Sequence, residues 1–249
     1  MACNLDNIDR IPKTIIQTWK TSDIGGIIGN LIQKLKSNNP EFEYKFFDDQ
    51  DIINFISEKY PQYLNTFNGF EYNIQKIDFF RYLAIYHYGG FYFDIDMDIN
   101  QNISELCKYE CVFPKESNLN PSNNPFIANQ GLNIIIGNYG FGASKHNEFL
   151  KLCIENILSQ RIKNIDIPNN DIRYKPYISN TLSQMLKLES YMKHVLYTTG
   201  PVLISQSYID YKNKGLIKIL ECDDENIKYP FGNYGLHHAI GTWKNLEDT

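Results

Sequence analysis

The sequence contains no uninterrupted apolar stretch of about eighteen residues, the length that a membrane-crossing helix needs. It also lacks a basic-then-apolar leader, because the opening MACNLDNIDRIPK does not follow the plan of a signal peptide. These two absences predict a soluble, cytoplasmic protein without a transmembrane segment. No run of Lys or Arg makes a basic patch and the net charge is −5, so nucleic acid is not an expected partner. Cysteine is scarce and odd in number, at Cys3, Cys107, Cys111, Cys153 and Cys222. Without paired C-x-x-C spacing or a nearby His, these read as reduced thiols and not as a zinc site. Tryptophan occurs twice, as Trp19 and Trp243. There is no internal repeat and no long low-complexity linker.

What is present is ordinary for a globular chain: 249 residues, 43% apolar and 21% charged. That length supports one sizeable core, and a single domain over residues 1–249 is expected. An acidic chain that takes an anionic ligand needs a cation to bridge the two.

The hydrophobic pattern alternates between strands and helices. Lys13 to Trp19 reads as a buried strand, followed by a helix from Ile27 to Lys36 that ends at Asn39-Pro40. Tyr44 to Phe47 is a second strand. Asp48 or Asp49 caps the next helix, whose face carries Ile52, Ile53, Phe55 and Ile56. A longer helix runs from about Tyr72 to Tyr88. Gly89-Gly90 stops it, since glycine takes a left-handed C-cap without a Cβ clash. Phe91 to Ile95 is then a short buried strand. Further strands are expected at Cys111–Phe113, Ile134–Phe141 and Leu216–Leu220. Further helices are expected at Asn147–Arg161, Ser179–Tyr191 and Pro201–Tyr211. Ser117 to Pro125 reads as a loop. Strands alternating with helices predict an α/β sandwich.

The chemistry concentrates at GGFYFDIDMD. An apolar strand that delivers Asp94, Asp96 and Asp98 is costly unless the acids have a partner. A hard divalent cation, Mg²⁺ or Mn²⁺, answers that need, because it prefers carboxylate and phosphate oxygens. If the strand continues, all three acids share a face; a turn at its end lets Asp94 and Asp96 diverge. Asp78 and Arg81 lie three apart on one helix face, either as an ion pair or as a grip on sugar and phosphate oxygens. Near the end, HHAIGTW offers His237 and His238 as alternative ligands. Trp19 is a core residue or a stacking platform for a ring.

The run DFFRYLAIYHYGGFYFDIDMD, Asp78 to Asp98, resembles the DXD sugar-binding region of glycosyltransferase family 32, the family of yeast initiating mannosyltransferases. IPKTIIQTWK at Ile11 to Lys20 is similar to the family's opening segment. Asn39-Pro40-Glu41 with Tyr44 and Asp48-Asp49, Asn138 to Ser144, Thr199-Gly200-Pro201 and HHAIGTW resemble later blocks in order. The resemblance implies a GT-A type fold, a Rossmann-like α/β sandwich with a central mixed sheet and additional helices. Residues from about 11 to 115 would bind the nucleotide sugar, and residues from about 116 to 249 would form the acceptor side and closing segment. It also implies a retaining, metal-dependent hexosyltransferase. Such an enzyme moves a sugar from a nucleoside-diphosphate sugar, a UDP-sugar in preference to GDP-mannose, to a hydroxyl on a glycan, protein or small molecule. Carried onto this sequence, Trp19 stacks on the base, while Asp78 and Arg81 hold the donor sugar and Asn138 faces it. Asp94 touches ribose, sugar or metal, and Asp96 binds Mn²⁺ or Mg²⁺ with His238. Trp243 contacts the diphosphate. Asp98 falls outside this set, and Thr242 stands where the family usually has Ser.

Two rivals share parts of this pattern. A haloacid-dehalogenase-like phosphohydrolase also places D-x-D after an apolar strand, but its motif lies near the chain start and continues into Thr or Val. A catalytically silent sugar-nucleotide-binding protein would keep the ligands without transfer.

Overall fold

Strand β1 (Thr14–Thr18) is buried at every position, and its side chains alternate between two separate apolar clusters. Ile16 joins one cluster and Ile15 the other. The same alternation recurs where Tyr92 faces the first cluster while Phe91 and Phe93 face the second. A sheet with an apolar layer on each face follows directly from that pattern. The computed structural model describes residues 9–119, 128–161 and 191–240.

The elements follow in order. Helix α1 (Gly26–Asn38) leads to β2 (Glu43–Phe47), α2 (Asp49–Lys59), the short α3 (Leu64–Asn68) and α4 (Asn73–Tyr88). Strands β3 (Gly90–Phe93), β4 (Met97–Ile99), β5 (Cys111–Asn118), β6 (Ile134–Ile136) and β7 (Gly140–Ala143) come next. Helix α5 (Glu148–Leu158), a helical stretch at 191–198, helix α6 (Pro201–Asp210) and strands β8 (Ile217–Leu220) and β9 (Gly235–His237) complete the described chain. The main sheet has seven strands in the order β2-β1-β3-β7-β5-β6, with β8 also paired to β5. β1 runs parallel to β2 and β3, whereas β7 is antiparallel to both β3 and β5. This is the α/β sandwich with a central mixed sheet and flanking helices expected of the GT-A type. Residues of α2, α4, α5 and α6 fill one apolar cluster, and α1 contributes Leu35 to the other.

The helix boundaries follow local chemistry. Asp48 caps α2, accepting from the Asp51 N–H while the Asp51 carboxylate accepts from the Asp48 N–H. α4 ends at Gly89 with φ 70°, and Gly90 continues with φ 102°. Here the double glycine is demanded by proximity as well as by φ. A Cβ on Gly90 would lie 2.4 Å from the Thr14 carbonyl oxygen, and one on Gly89 would lie 2.6 Å from the Pro12 ring. Glycine therefore lets the chain turn from α4 straight into a strand pressed against β1.

The structure corrects several expected boundaries. The run Ile134–Phe141 is not one strand: it breaks at Gly137-Asn138-Tyr139 into β6 and β7. The β3 strand ends at Phe93, before the acids. Ser117 and Asn118 belong to β5, because they pair with Ile135 and Ile134 of β6. β4 and β9 form an additional two-stranded antiparallel sheet that the hydrophobic pattern did not indicate. Residues 120–125 of the expected loop and 179–190 of the expected helix lie outside the described residues.

Gly90→Ala should therefore cost roughly 3 kcal/mol or more, combining a strained φ with backbone overlap. Gly215→Ala, where an added Cβ meets nothing within 4 Å, should change stability by less than about 0.5 kcal/mol. Urea denaturation of the two variants checks this; similar midpoints for both would remove the proposed reason for the double glycine.

Candidate active site

Because β1 lies between β2 and β3, the chain passes to one side of β1 and then to the other. In open α/β sheets ligands bind outside the carboxyl ends of strands at such a reversal. Thr18 at the end of β1, Trp19 just after it, Asp49 after β2 and Asp94 after β3 all line one cleft of about 560 Å³.

The floor of that cleft is built around α4. This helix is buried on most of its circumference, so its polar residues are buried too. Arg81 is 3% exposed. Its guanidinium donates to the Asn138 carbonyl at 2.8 Å and pairs with Asp94 at 3.1 Å and Asp78 at 3.3 Å. Its plane lies over the Tyr92 ring, 4.7 Å from the centroid. Burial works against the charge, but Asp94, Tyr92 and Asp78 outweigh it and hold the guanidinium protonated. Asp78 accepts from Asn138 at 3.1 Å and from the Thr199 hydroxyl at 2.8 Å. Burial still lifts its carboxyl to about 6, with Arg81 and those hydrogen bonds pulling the other way.

Asp94 and Asp96 lie on the turn after β3, which is closed by the Met97 N–H donating to the Asp94 carbonyl at 3.1 Å. The turn does not make their carboxylates diverge. Both face His237, whose Nε2 lies 2.9 Å from Asp96 and 3.8 Å from Asp94. Burial raises the Asp94 carboxyl above its ordinary value, with Arg81 and His237 opposing. Burial acts on Asp96 in the same direction, but hydrogen bonds from His237 and the Ile240 N–H outweigh it and lower that carboxyl. One ligand atom from each of Asp94, Asp96 and His237 fits within 4.8 Å of the others, a spacing that suits one cation held by two oxygens and an imidazole nitrogen.

The structure brings Asp78, Arg81, Asp94, Asp96 and Asn138 together and places Trp19 on the cleft wall. It does not bring the His238 side chain to the two carboxylates; only the His238 N–H reaches Asp96, donating to its backbone carbonyl at 3.2 Å. β9 pairs with β4 so that His237 stands opposite Met97. Alternation along β9 then sends the next side chain elsewhere: His238 lies 4.0 Å from Asp98, whose carboxylate is paired with Lys34 at 2.6 Å. His237 takes the place expected of His238, and Asp98 is turned away from the cluster. Trp243 and Thr242 lie outside the described residues.

Three contributing side chains had no role in the sequence reading. Tyr92 donates to Asp94 at 3.1 Å. Tyr139 stacks on His237 with centroids 5.0 Å apart, and its hydroxyl is anchored to the Pro230 carbonyl. Thr199 reaches Asp78 across 121 positions of sequence. Tyr92 was legible in principle, since it shares a strand face with Asp94, two residues on. No local signal marks the other two.

Residues 28–113 match the family described as glycosyltransferase sugar-binding region containing DXD motif. Inositol phosphoceramide mannosyltransferase 2 of Schizosaccharomyces pombe is 27% identical over 204 residues, covering 82% of this chain and 48% of the relative. A mannosyl phosphorylinositol ceramide synthase of Saccharomyces cerevisiae is 36% identical over 113 residues, covering 45% of this chain and 30% of the relative. Among solved structures, PaToxG Glycosyltransferase overlaps 80% of this chain and 69% of its own with a TM-score of 0.48 and 15% identity. Residues 28–113 of the chain are thus similar to the DXD-containing sugar-binding region of glycosyltransferases. That match, which includes the Asp94–Asp96 segment, tells against the phosphohydrolase reading. The chain spans about half the length, or less, of the curated relatives named here.

These relatives also overturn the expected cytoplasmic location. Their names carry a ceramide lipid and they extend well beyond the matched region, so the opening residues assign no compartment. Among the described residues, no helix is long and apolar enough to cross a membrane.

Asp78 gives the site a pH signature. Its carboxyl titrates near 3.9 in an unfolded chain and at about 6 when folded, so folding takes up a proton between those values. The stability contributed by the neutral form is complete below about 4 and is lost as pH rises through 6. Asp78→Asn cannot titrate there. With chelator present, the stability gap between wild type and variant should move by about 1 kcal/mol in favour of wild type from pH 7.5 to pH 5. A gap that stays constant in urea titrations would show that Asp78 is not lifted.

Proposed function

We propose that this protein is a metal-dependent, retaining glycosyltransferase that uses a nucleoside-diphosphate sugar. The observation that carries this reading is the convergence of Asp94, Asp96 and His237 beside the buried Asp78–Arg81 pair, at the carboxyl ends of parallel strands. Asp94, Asp96 and His237 would hold Mn²⁺ or Mg²⁺, and the imidazole nitrogen leans the choice towards Mn²⁺. Such an ion supplies Lewis-acid neutralisation of the diphosphate charge.

The other roles belong to the chain itself. Trp19 stands at the cleft wall, where a base can lie against it. Arg81 and Asp78 grip the donor sugar and its phosphate oxygens, and Asn138 fixes Asp78 and the sugar edge. The carboxylates beside the proposed ion are already engaged: Asp78 is held by Asn138, Thr199 and Arg81, and Asp94 by Tyr92 and Arg81. These engagements support same-face attack. The bond from the anomeric carbon to the diphosphate oxygen breaks and its electron pair leaves with the phosphate. The acceptor oxygen bonds to that carbon, and its proton passes to a diphosphate oxygen.

The donor is a UDP-sugar or GDP-mannose; the mannosyltransferase names of the relatives keep the second in contention. The cleft lining also includes the apolar side chains of Phe67, Ile74, Ile77, Met192, Val195 and Leu196, which suit an acceptor with a hydrocarbon part. The ceramide lipids in the relatives' names share that chemistry.

A panel of sugar nucleotides with Mn²⁺, scored for nucleotide release, tests the reading. Asp96→Ala and His237→Ala should each lower metal-dependent turnover by at least about a hundredfold, whereas His238→Ala should stay within about threefold of wild type. An Asp96→Ala protein with full metal-dependent transfer would refute the assignment. Nucleotide binding without release or transfer would favour a silent binding protein.

Removal of the ion gives a separate check. Excess EDTA should abolish release, and Mn²⁺ should restore it at lower concentration than Mg²⁺ because of the imidazole donor. Undiminished release in EDTA would leave the three-residue cluster without a catalytic ion.

A further inference from the structure

The Tyr92 hydroxyl lies between two oxygens, 3.1 Å from Asp94 Oδ1 and 3.1 Å from Thr18 Oγ1. Tyr92 is 1% exposed and Thr18 is 7% exposed, yet both contribute to the cleft surface. A phenol carries one proton. Asp94 pairs with Arg81 and accepts, so the phenol proton goes to Asp94. The phenol oxygen must then be the acceptor towards Thr18, and the single Thr18 proton is spent on it. What Thr18 Oγ1 has left is lone pairs.

We propose that Thr18 is a nucleoside-contacting residue of fixed polarity, an acceptor for a ribose O–H or a base N–H, held in that state by Tyr92 and Asp94. It precedes Trp19, the expected base platform, and both residues line the cleft. Gln17 braces the same junction, donating to the Asp94 carbonyl at 3.1 Å while accepting from Tyr44 at 3.0 Å. The end of β1 is therefore tied to Asp94 at both its carboxylate and its carbonyl. A nucleoside that donates to Thr18 strengthens the hydroxyl chain that orients the Asp94 carboxylate. Asp94, one of the proposed ligands of the ion, is thereby positioned through the residue that reads the nucleoside. The inference rests on the nucleotide-sugar reading above and adds a residue and a polarity to it.

Calorimetry of UDP and GDP with Mn²⁺ on the full chain decides it. Thr18→Val keeps shape and removes the hydroxyl, and it should weaken binding of the preferred nucleotide about tenfold. Thr18→Ser should stay within about twofold. Tyr92→Phe frees the Thr18 proton and should also cost about tenfold, with the double variant no worse than about twofold beyond either single change, because the two hydroxyls act as one chain. For a uracil nucleotide, 2′-deoxy-UDP and N3-methyl-UDP separate the sources: whichever loses its sensitivity to Thr18→Val lacks the donor group that Thr18 meets. Thr18→Val that binds the nucleotide as wild type does, or losses that multiply in the double variant, would overturn the inference while leaving the transferase reading standing. If Tyr92→Phe does not fold, the Thr18→Ser and Thr18→Val pair still decides. Wild-type protein that binds neither nucleotide with Mn²⁺ overturns the transferase reading and this inference together.

Discussion

A guanidinium charge buried at 3% exposure sets the terms for the rest of this site. Removing such a charge from water costs several kcal/mol, and only close partners offset it. Arg81 draws them from three parts of the chain: Asp78 on its own helix, Asp94 at the end of β3, and the Asn138 carbonyl at the break between β6 and β7. Each partner is secured by something more distant, Asp78 by Thr199 and Asp94 by Tyr92. Among the described residues, Arg81 Nε is one of four buried side-chain polar atoms without a hydrogen-bond partner. A donor left over inside a binding cleft is what a ligand oxygen can use.

Topology decides where that charge sits. Parallel pairing of β2, β1 and β3 collects three carboxyl ends on one edge. The antiparallel entry of β7 beside β3 brings the Gly137-Asn138-Tyr139 break against the same edge. Had residues 134–141 formed one continuous strand, the Asn138 carbonyl would have been used in a sheet ladder. The break releases it for Arg81. The double glycine at 89–90 works from the other end, pressing the start of β3 against β1 at a distance that no side chain permits.

These causes explain what could be read from the sequence. The Asp78–Arg81 spacing, the glycine stop and the aromatic strand leading into Asp94 and Asp96 are local, and local geometry fixes a helix face or a strand end. The seven-stranded order needed more than alternation, because nothing in Ile134–Phe141 announces a break except the spacing of its glycines. The choice between His237 and His238 was beyond local reading altogether. It depends on the register of β9 against β4, and a shift of one residue would exchange the two side chains. Thr199 depends on packing of the chain before α6 against α4, which no short window contains.

Charge gives the last constraint on what the cleft can hold. Asp49, Asp78, Asp94, Asp96 and Glu116 line it, against Lys20, Lys76 and Arg81. The guanidinium is already committed to two of the acids. A proton on Asp78 would relieve part of the excess, since burial makes that carboxyl the easier one to neutralise near pH 6. The remaining carboxylates still repel a diphosphate, which carries further negative charge into a space partly shielded from water. Two responses satisfy electrostatics. The acids could take up protons as an anion enters, but the hydrogen bonds to Asp96 from His237 and Ile240 oppose this by stabilising its ionised form. Alternatively, a cation could enter with the anion. Keeping Asp96 ionised and aiming it at the same point as Asp94 and His237 favours the second response, and it does so before any donor arrives.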